Sequence, residues 1–371
     1  MGRTAALAID AIWLRSFRSG QTANVRRAMG CAEAIRAIER RAFNDRATST
    51  ARWAASTGVG SADVWVHRLR IPGRLTVNFH PDRIGRDGRS VAAGLLSFGA
   101  YRSQWATGIS SGSRSALRGG ERHRFEREFF AGACEDIDPD SGEHPVYGAF
   151  DLLVDDHGGS PRFGSCFLVL RSHARERTTL CVGDTHAAPR DVGTFHEPWS
   201  ILAGRAEQAA SGNLLNRRLD IDTLLAILDG QDLPRSASRD LDGYVEIQVH
   251  GGVDLAEDVE AIVLDPSFRG STVEQDLAAA ASRYGFELAW HRGSELAVDD
   301  VPDDFRGPAM PALARRVAGA HRIIDARAIG VTAAEQPYED PTPLGDPPES
   351  TRQQLKYLWH TLLAHGHDAA S

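Results

Sequence analysis

Apolar and polar residues alternate along the stretch YVEIQVH at residues 244–250, and this period of two predicts a β-strand. Successive side chains of a strand point to opposite faces of its sheet. The apolar row consists of Val245, Ile247 and Val249, and the polar row consists of Tyr244, Glu246, Gln248 and His250. We expect the apolar row to pack in a core. The polar row faces either water, as in an exposed antiparallel sheet, or a functional site.

The remaining pattern predicts a helical start and then a region of short strands. Residues 31–43 place Cys31, Ile35, Ile38 and Ala42 near one stripe of a helix. From residue 63 onward short strands are expected between Gly, Pro and Asp residues, including 75–79, 163–170 and 178–182. A short helix should end at Gly94 or Gly99, and residues 272–291 should form a helix followed by a strand. Residues 183–199 are expected to form a loop rich in His and Pro.

The chain is predicted to close with an amphipathic helix after a Pro-rich linker. Ser350 or Thr351 is a suitable N-cap, followed by a Gln that completes a capping box. The apolar stripe consists of Leu355, Leu358, Trp359, Leu362 and Leu363. Such a stripe must pack on something, and we prefer the core of the same chain to a partner surface.

These elements predict an α+β fold with two facing, mostly antiparallel sheets and with helices before and after them. We expect an N-terminal helical region at residues 1–62 and an α+β domain at residues 63–340. Residues 341–371 should supply the Pro-rich linker and the C-terminal helix, which packs on the domain.

Composition narrows the partners of the protein. The 371 residues include 42 Lys and Arg against 50 Asp and Glu, for a net charge of −8, so nucleic acid would need a local basic patch. The four cysteines form no C-x-x-C pair and are expected to be reduced and mostly buried. No apolar run approaches the roughly 18 residues of a membrane span, so we expect a cytoplasmic protein that does not enter a membrane.

Three stretches carry candidate chemistry. NFHPDR at residues 78–83 brings His80 and Arg83 to the end of a strand. A Gly-rich loop at residues 99–113 supplies Tyr101, Ser103, Gln104, Thr107, Gly108 and Ser110. The third stretch is the polar row with Glu246, Gln248 and His250. Taken singly, the first stretch fits a capped turn as well as a site, and the second fits a solvated loop as well as a site. The third stretch by itself fits an exposed sheet face better than a site.

Five runs of the sequence together resemble a bacterial family catalogued as a domain of unknown function. These runs are VNFHPDR, YRSQWATGISSG, RFGSCFLVL, TTLCVGD and YVEIQVHGGVDLAEDVEAIVLDPSF, and the resemblance covers residues 70–365. It implies membership of that family without an activity.

The order of a strand-end His, a Gly-rich aromatic and Ser-Thr loop, and a later Glu-bearing strand is similar to the ADP-ribosyltransferase fold, with its split-sheet core. The resemblance implies that NAD is the substrate. It places His80 or Arg83 at the ribose or phosphates, Tyr101 with Thr107 and Ser110 at the nicotinamide, and Glu246 as the carboxylate that completes the triad. Gln248 would orient the acceptor or the ribose, and His250 would reach the site only if the strand end turns inward.

The resemblance implies transfer of ADP-ribose from NAD to an acceptor, for instance a protein, or hydrolysis of NAD. Two positions depart from the family pattern. Pro81 follows His80 where many relatives have Gly, and the later strand reads Glu-Ile-Gln instead of Glu-x-Glu. Either Glu246 or Gln248 therefore occupies the catalytic position.

Two other functions remain open. A metal-dependent hydrolase or nuclease could use His80, Asp184, His186 and His196, since imidazole and carboxylate groups bind metal ions, although no strong ligand spacing is present. A non-catalytic nucleotide-binding or scaffold protein is the third possibility. Bound metal in the purified protein would favour the hydrolase, and NAD binding without turnover would favour the binding protein.

Overall fold

The computed structural model describes residues 22–59, 73–109, 116–231, 240–336 and 350–369. Several parts of the sequence predictions lie outside these ranges. They are residues 1–21 and 60–62 of the predicted helical region, the beginning of the strand region that was expected from residue 63, Ser110, and the Pro-rich segment before the C-terminal helix.

The described chain has an α+β fold with a mostly antiparallel central sheet, which confirms the predicted α+β class and the predicted antiparallel pairing. The strands are β1 Arg74–Phe79, β2 Ala100–Tyr101, β3 Val146–Asp151, β4 Cys166–Leu170, β5 Thr178–Val182, β6 Val192–Thr194, β7 Val245–Val249, β8 Val253–Asp254, β9 Val259–Leu264, β10 Glu287–Trp290, β11 Leu296–Ala297 and β12 Ile323–Ile324. The strand β6 and a short 3-10 turn at Thr185–Ala187 replace the loop that was expected between residues 183 and 199.

Eight strands form one continuous sheet in the order β10-β9-β4-β1-β3-β7-β5-β6. Among the strand pairs of this sheet in the described residues, only β9–β10 is parallel. The predicted pair of facing sheets is wrong for the described chain, because β1 pairs with both β3 and β4, and β7 pairs with both β3 and β5. These pairings join all the long strands edge to edge. The other strands form two small ribbons, β2–β8 and β11–β12.

Twelve helices accompany the sheet in the described residues. They are α1 Thr22–Asn44, α2 Arg46–Thr57, α3 Val91–Phe98, α4 Gln104–Thr107, α5 Glu121–Phe129, α6 Trp199–Ala210, α7 Ile221–Leu228, α8 Leu255–Asp258, α9 Thr272–Tyr284, α10 Met310–Ala318, α11 Ala326–Ala334 and α12 Thr351–His365. The predicted helix and strand in residues 272–291 are confirmed as α9 and β10. None of the helices has the length and apolar character required to cross a membrane.

The N-terminal helices dock on the sheet through a cluster of charged residues. Arg52 of α2 lies 2.7 Å from the carboxylate of Asp191 and 2.6 Å from that of Glu207 on α6. Ser200 donates a hydrogen bond to the same Asp191 carboxylate at 2.7 Å. This shared carboxylate attaches the start of the described chain to the β6 edge of the sheet.

The C-terminal helix α12 packs on the same fold, as its apolar stripe predicts. The side chain of Ser350 accepts a hydrogen bond from the backbone N–H of Gln353, so Ser350 is the N-cap. All members of the stripe are buried: Leu355, Leu358, Trp359, Leu362 and Leu363. The Trp359 indole donates a hydrogen bond to the backbone oxygen of Pro161 at 2.9 Å. The helix is thus part of the core, and not a surface left for a partner.

Strand β7 lies between β3 and β5 in the sheet, and all five of its residues are buried, so neither face of the strand is exposed to solvent. Val245, Ile247 and Val249 join the large apolar cluster, as predicted. The opposite face carries Glu246 and Gln248, which are 5% and 0% exposed. The polar row therefore does not meet bulk water, and each polar group in it needs a partner inside the protein.

The described cysteines behave as the sequence predicted. Cys134, Cys166 and Cys181 are buried and form no disulfide. Burial raises the pKa of the Cys181 thiol well above its usual value, with a further contribution from the nearby charge of Glu246. Cys181 is therefore a protonated thiol, and its Sγ lies 3.7 Å from Glu246 Oε1.

Candidate functional site

A cavity of about 360 Å³ lies beside the polar face of the sheet. Its wall combines the end of β1, the segment from α3 to α4, part of α5, β3, β7 and the first turns of α12. Seven of its lining residues are basic and three are acidic, although the whole chain carries a net charge of −8. The basic residues are Arg83, Arg89, Arg102, Arg122, Arg162, Arg352 and Lys356, and the acidic ones are Asp87, Asp184 and Glu246. This local excess of positive charge suits an anionic ligand.

His80 lies where β1 ends and the chain turns towards α3. The carbonyl of the following Pro81 accepts a hydrogen bond from Ala92 N at 2.9 Å, which fixes the turn against the helix. The imidazole packs edge-on against Trp359, with ring centroids 5.1 Å apart. Burial lowers the pKa of His80 well below its usual value, and the charge of Arg83 adds to this effect. His80 therefore presents a neutral imidazole to the cavity.

Tyr101 is placed by the short helix α3 and the ribbon that follows it. Ser90 caps the start of α3, and Gly99 ends the helix with φ of +65°, one of the two ends that the sequence allowed. In the β2–β8 ribbon, Tyr101 pairs with Val253. Its ring contacts Phe79 edge-to-face at 5.7 Å. Burial raises the pKa of the phenol, so Tyr101 offers the cavity a protonated hydroxyl group.

The Gly-rich loop contributes in part. Ser103, Gln104 and Thr107 line the cavity. Gly108 does not belong to the lining and ends α4 instead, with φ of +66° and a hydrogen bond from its N–H to the Gln104 carbonyl. The predicted residue Ser110 lies outside the described residues.

Glu246 lies on the β7 wall of the cavity and is held through one carboxylate oxygen. Its Oε1 accepts hydrogen bonds from the Thr185 backbone N–H at 3.1 Å and from the Gln248 amide at 2.9 Å. The Thr185 hydroxyl donates to the same oxygen. Burial raises the pKa of Glu246 to about 7, and the charge of Asp184 adds to this effect. The second oxygen, Oε2, has no hydrogen-bond partner among the described residues.

Gln248 and His250 lie behind this wall and do not line the cavity. The Gln248 side chain accepts a hydrogen bond from the Thr179 hydroxyl at 2.7 Å and donates to Glu246. His250 Nε2 lies 3.0 Å from the same hydroxyl, and its ring packs against Phe130 at 5.1 Å. Burial lowers the pKa of His250 to about 3. Gln248 therefore orients Glu246, and His250 is a neutral core residue.

Sequence reasoning missed a polar wall formed by α5 and its neighbours. Glu126 is buried, and it accepts hydrogen bonds from the Trp105 indole at 3.1 Å and the Tyr147 hydroxyl at 3.0 Å. Arg122 lies 3.4 Å from the same carboxylate and over the Tyr147 ring. The dense charges of residues 121–128, ERHRFERE, were the only available signal, and they look the same as those of a solvated helix.

The four residues of the metal hypothesis are not assembled into one group. His80, Asp184 and His186 line the cavity, whereas His196 pairs with Glu176 at 2.7 Å and does not belong to the lining. Within the described ranges, no group of three or more His, Cys, Asp or Glu residues could hold a metal ion.

Comparison with known families places the cavity within a recognised unit. Residues 74–365 match the family described as "Protein of unknown function (DUF3626)", and every cavity residue lies inside this range. No curated protein matches the chain.

Proposed function

The chain belongs to the DUF3626 family, and we propose that it cleaves the bond between nicotinamide and ribose in NAD, transferring ADP-ribose to an acceptor or to water. One observation carries this proposal. His80, Tyr101 and Glu246 come from three distant stretches of the sequence, and all three line one cavity. Their order along the chain is that of the His, aromatic and Glu elements of the ADP-ribosyltransferases.

The charge of the cavity supports a dinucleotide as the ligand. A volume of about 360 Å³ falls within the range of roughly 300–1,000 Å³ that is typical of small-molecule sites. Guanidinium groups bind phosphate oxygens in bidentate fashion, so Arg83, Arg102 and Arg162 are suitable partners for a pyrophosphate. Aromatic residues that line the same cavity, including Tyr101, Phe98 and Phe163, provide stacking surfaces for the nicotinamide and the adenine.

Glu246 supplies the electrostatic part of the proposed reaction. Breaking the bond between nicotinamide and ribose develops positive charge at the anomeric carbon. A fixed carboxylate near that carbon stabilises the charge in the transition state, an effect worth several kcal/mol in other enzymes, about 3 to 4 for a single group. The bonds from Thr185 and Gln248 fix Oε1, which leaves Oε2 available for a ribose hydroxyl. We therefore assign the catalytic position to Glu246, with Gln248 as the residue that positions it.

This role requires Glu246 in its ionised form. Because burial raises its pKa to about 7, the rate of nicotinamide release should increase with pH and reach half of its maximum near pH 7. The positive charge of bound NAD at the nicotinamide ring favours the ionised carboxylate and shifts this midpoint downward.

The test is release of nicotinamide from NAD by the purified protein, measured beside two variants. Glu246→Gln should abolish release while NAD binding, followed by calorimetry, persists. Glu287→Gln removes an exposed glutamate of β10 and should leave release unchanged. Wild-type protein that neither binds NAD nor releases nicotinamide would refute the proposal.

A second candidate is nucleotide binding without turnover, and one observation favours it. Glu246 is 5% exposed, and its raised pKa leaves a large protonated fraction at neutral pH, in which form it cannot stabilise a cation. NAD binding to the wild-type protein without nicotinamide release between pH 6 and pH 9 would select this function over the transferase.

A further inference from the structure

We propose that His186, held by Asp184, is the general base that takes the proton from the hydroxyl group that attacks the ribose. This inference rests on the proposed function, since it assigns the second half of the same reaction. Glu246 must stay an anion to stabilise the developing charge, so a different group has to accept the proton of the nucleophile. The nucleophile is either water or an acceptor molecule, and in both cases it attacks through an O–H group.

The turn after β5 builds the pair. Asp184 caps the 3-10 turn Thr185–Ala187 by accepting a hydrogen bond from the His186 backbone N–H at 3.1 Å. The same oxygen, Oδ1, lies 2.6 Å from Nδ1 of the His186 ring. The Tyr244 hydroxyl approaches the other carboxylate oxygen at 3.4 Å. Asp184 is thereby fixed, and it fixes the orientation of the imidazole in turn.

This geometry leaves the other ring nitrogen of His186 available to a substrate. Because Nδ1 is turned towards Asp184, the nitrogen that remains for an external proton is Nε2. The described residues provide no hydrogen-bond partner for Nε2. The His186 side chain lines the cavity and is 35% exposed, so a nucleophile can reach it. A carboxylate, an imidazole and an open Nε2 are the components of a base oriented for proton abstraction.

The pair is coupled to Glu246 by the residue between its two members. The backbone N–H and the hydroxyl group of Thr185 both donate hydrogen bonds to Glu246 Oε1. One short turn therefore positions both the carboxylate and the proposed base on one wall of the cavity. The charge of Arg162, in the neighbouring turn, acts on Asp184, and α5, the helix that carries Arg122 and Glu126, packs on the turn Thr185–Ala187. Burial raises the pKa of Asp184, but the hydrogen bond and charge of His186 outweigh it and lower the pKa overall.

The proposed step balances as follows. The bond between ribose C1 and the nicotinamide nitrogen breaks, and its electron pair stays on nitrogen, which neutralises the ring. The oxygen of the nucleophile forms the new bond to C1, and its proton passes to His186 Nε2. Asp184 stabilises the resulting imidazolium through Nδ1, and the proton leaves to solvent through the exposed edge of the ring.

The test uses an anionic nucleophile that carries no proton. His186→Gln should lower NAD hydrolysis by roughly 100- to 10,000-fold, the range expected for a general base. Sodium azide should restore nicotinamide release in this variant and yield ADP-ribosyl azide, identified by mass spectrometry. Glu246→Gln should show no such rescue, because azide does not replace the carboxylate. His321→Gln, at an exposed histidine outside the cavity lining, should behave as the wild type.

A second variant covers the case in which His186→Gln fails to fold. Asp184→Asn should lower the rate of hydrolysis at least 10-fold, and azide should restore it. Full hydrolysis in folded His186→Gln, or reduced hydrolysis that azide does not restore in either variant, would overturn the role of His186 and leave the proposed function standing. An inactive wild-type protein would overturn the proposed function itself. Adding a candidate acceptor with a free hydroxyl group separates water from the acceptor as the nucleophile, because transfer then competes with hydrolysis.

Discussion

Replacing Glu246 by Gln should stabilise the protein at alkaline pH and have little effect on its stability at acidic pH. Glu246 is 5% exposed, and burial raises its pKa from the usual 4.5 to about 7. The folded state thus binds this proton more tightly than the unfolded chain does. Stability is consequently unaffected below pH 4.5, falls as the pH rises, and is lowest above pH 7.

The size of the effect follows from the two pKa values. A change from 4.5 to about 7 corresponds to roughly 3 kcal/mol of lost stability at high pH, since one pKa unit is about 1.4 kcal/mol. A Gln side chain has the shape of the protonated acid. Its amide oxygen can accept the same hydrogen bonds from Thr185 and Gln248. We therefore expect Glu246→Gln to gain about 3 kcal/mol at pH 8.5 and less than about 1 kcal/mol at pH 5.

The measurement is urea unfolding followed by tryptophan fluorescence at pH 5 and pH 8.5, for the wild type, Glu246→Gln and the exposed control Glu287→Gln. The control should match the wild type at both pH values. A loss of stability in Glu246→Gln at pH 8.5 would show that Glu246 is ionised and well paired in the folded state. An equal change at both pH values would show that the ionisation of Glu246 does not cause the change, and either result would refute the reasoning. A variant that gains stability but loses nicotinamide release would place the residue in a functional site, where activity is maintained at the expense of stability.

Three further predictions concern stability. Asp191→Asn should cost about 1.5–3 kcal/mol at pH 7, because it removes one of the two carboxylates that pair with Arg52. Burial raises the pKa of Asp191, but its hydrogen bonds outweigh this and lower the pKa, so in urea titrations the gap from the wild type should close as the pH falls below 4. Gly330→Ala should cost about 1–3 kcal/mol, because the added Cβ would lie 1.4 Å from the Asp82 carboxylate. Gly94→Ala is the matched control within a helix: the nearest atom to its Cβ is 3.9 Å away, and the variant should gain about 0.5–1 kcal/mol. Thermal unfolding measures both changes. Ser350→Ala should cost about 1 kcal/mol by loss of the α12 cap, and Ser350→Asp should retain the wild-type midpoint.

Periodicity and capping chemistry were sufficient to predict individual elements. The alternation of Val245, Ile247 and Val249 predicted a strand with an apolar face, and this face lies in the main core. The stripe and the N-cap of α12 were readable for the same reason, since a helix or strand that buries one face must repeat its apolar residues with its own period. The order of the His, aromatic and Glu elements along the chain also indicated His80, Tyr101 and Glu246 as candidates, and in the structure all three line one cavity.

Only the tertiary structure decided what each polar residue faces. Periodicity places Glu246, Gln248 and His250 on one face of the strand, yet of these three only Glu246 lines the cavity. Gln248 accepts a hydrogen bond from Thr179, and the His250 ring packs against Phe130. The prediction of two facing sheets was also wrong, because the alternation of apolar and polar residues in a strand does not indicate which other strands it pairs with. The contact of Tyr244 with Asp184 and that of Tyr147 with Glu126 on α5 join residues far apart in the sequence. Local patterns fix backbone periods, whereas burial, and with it the pKa of each group, depends on distant segments that cover it.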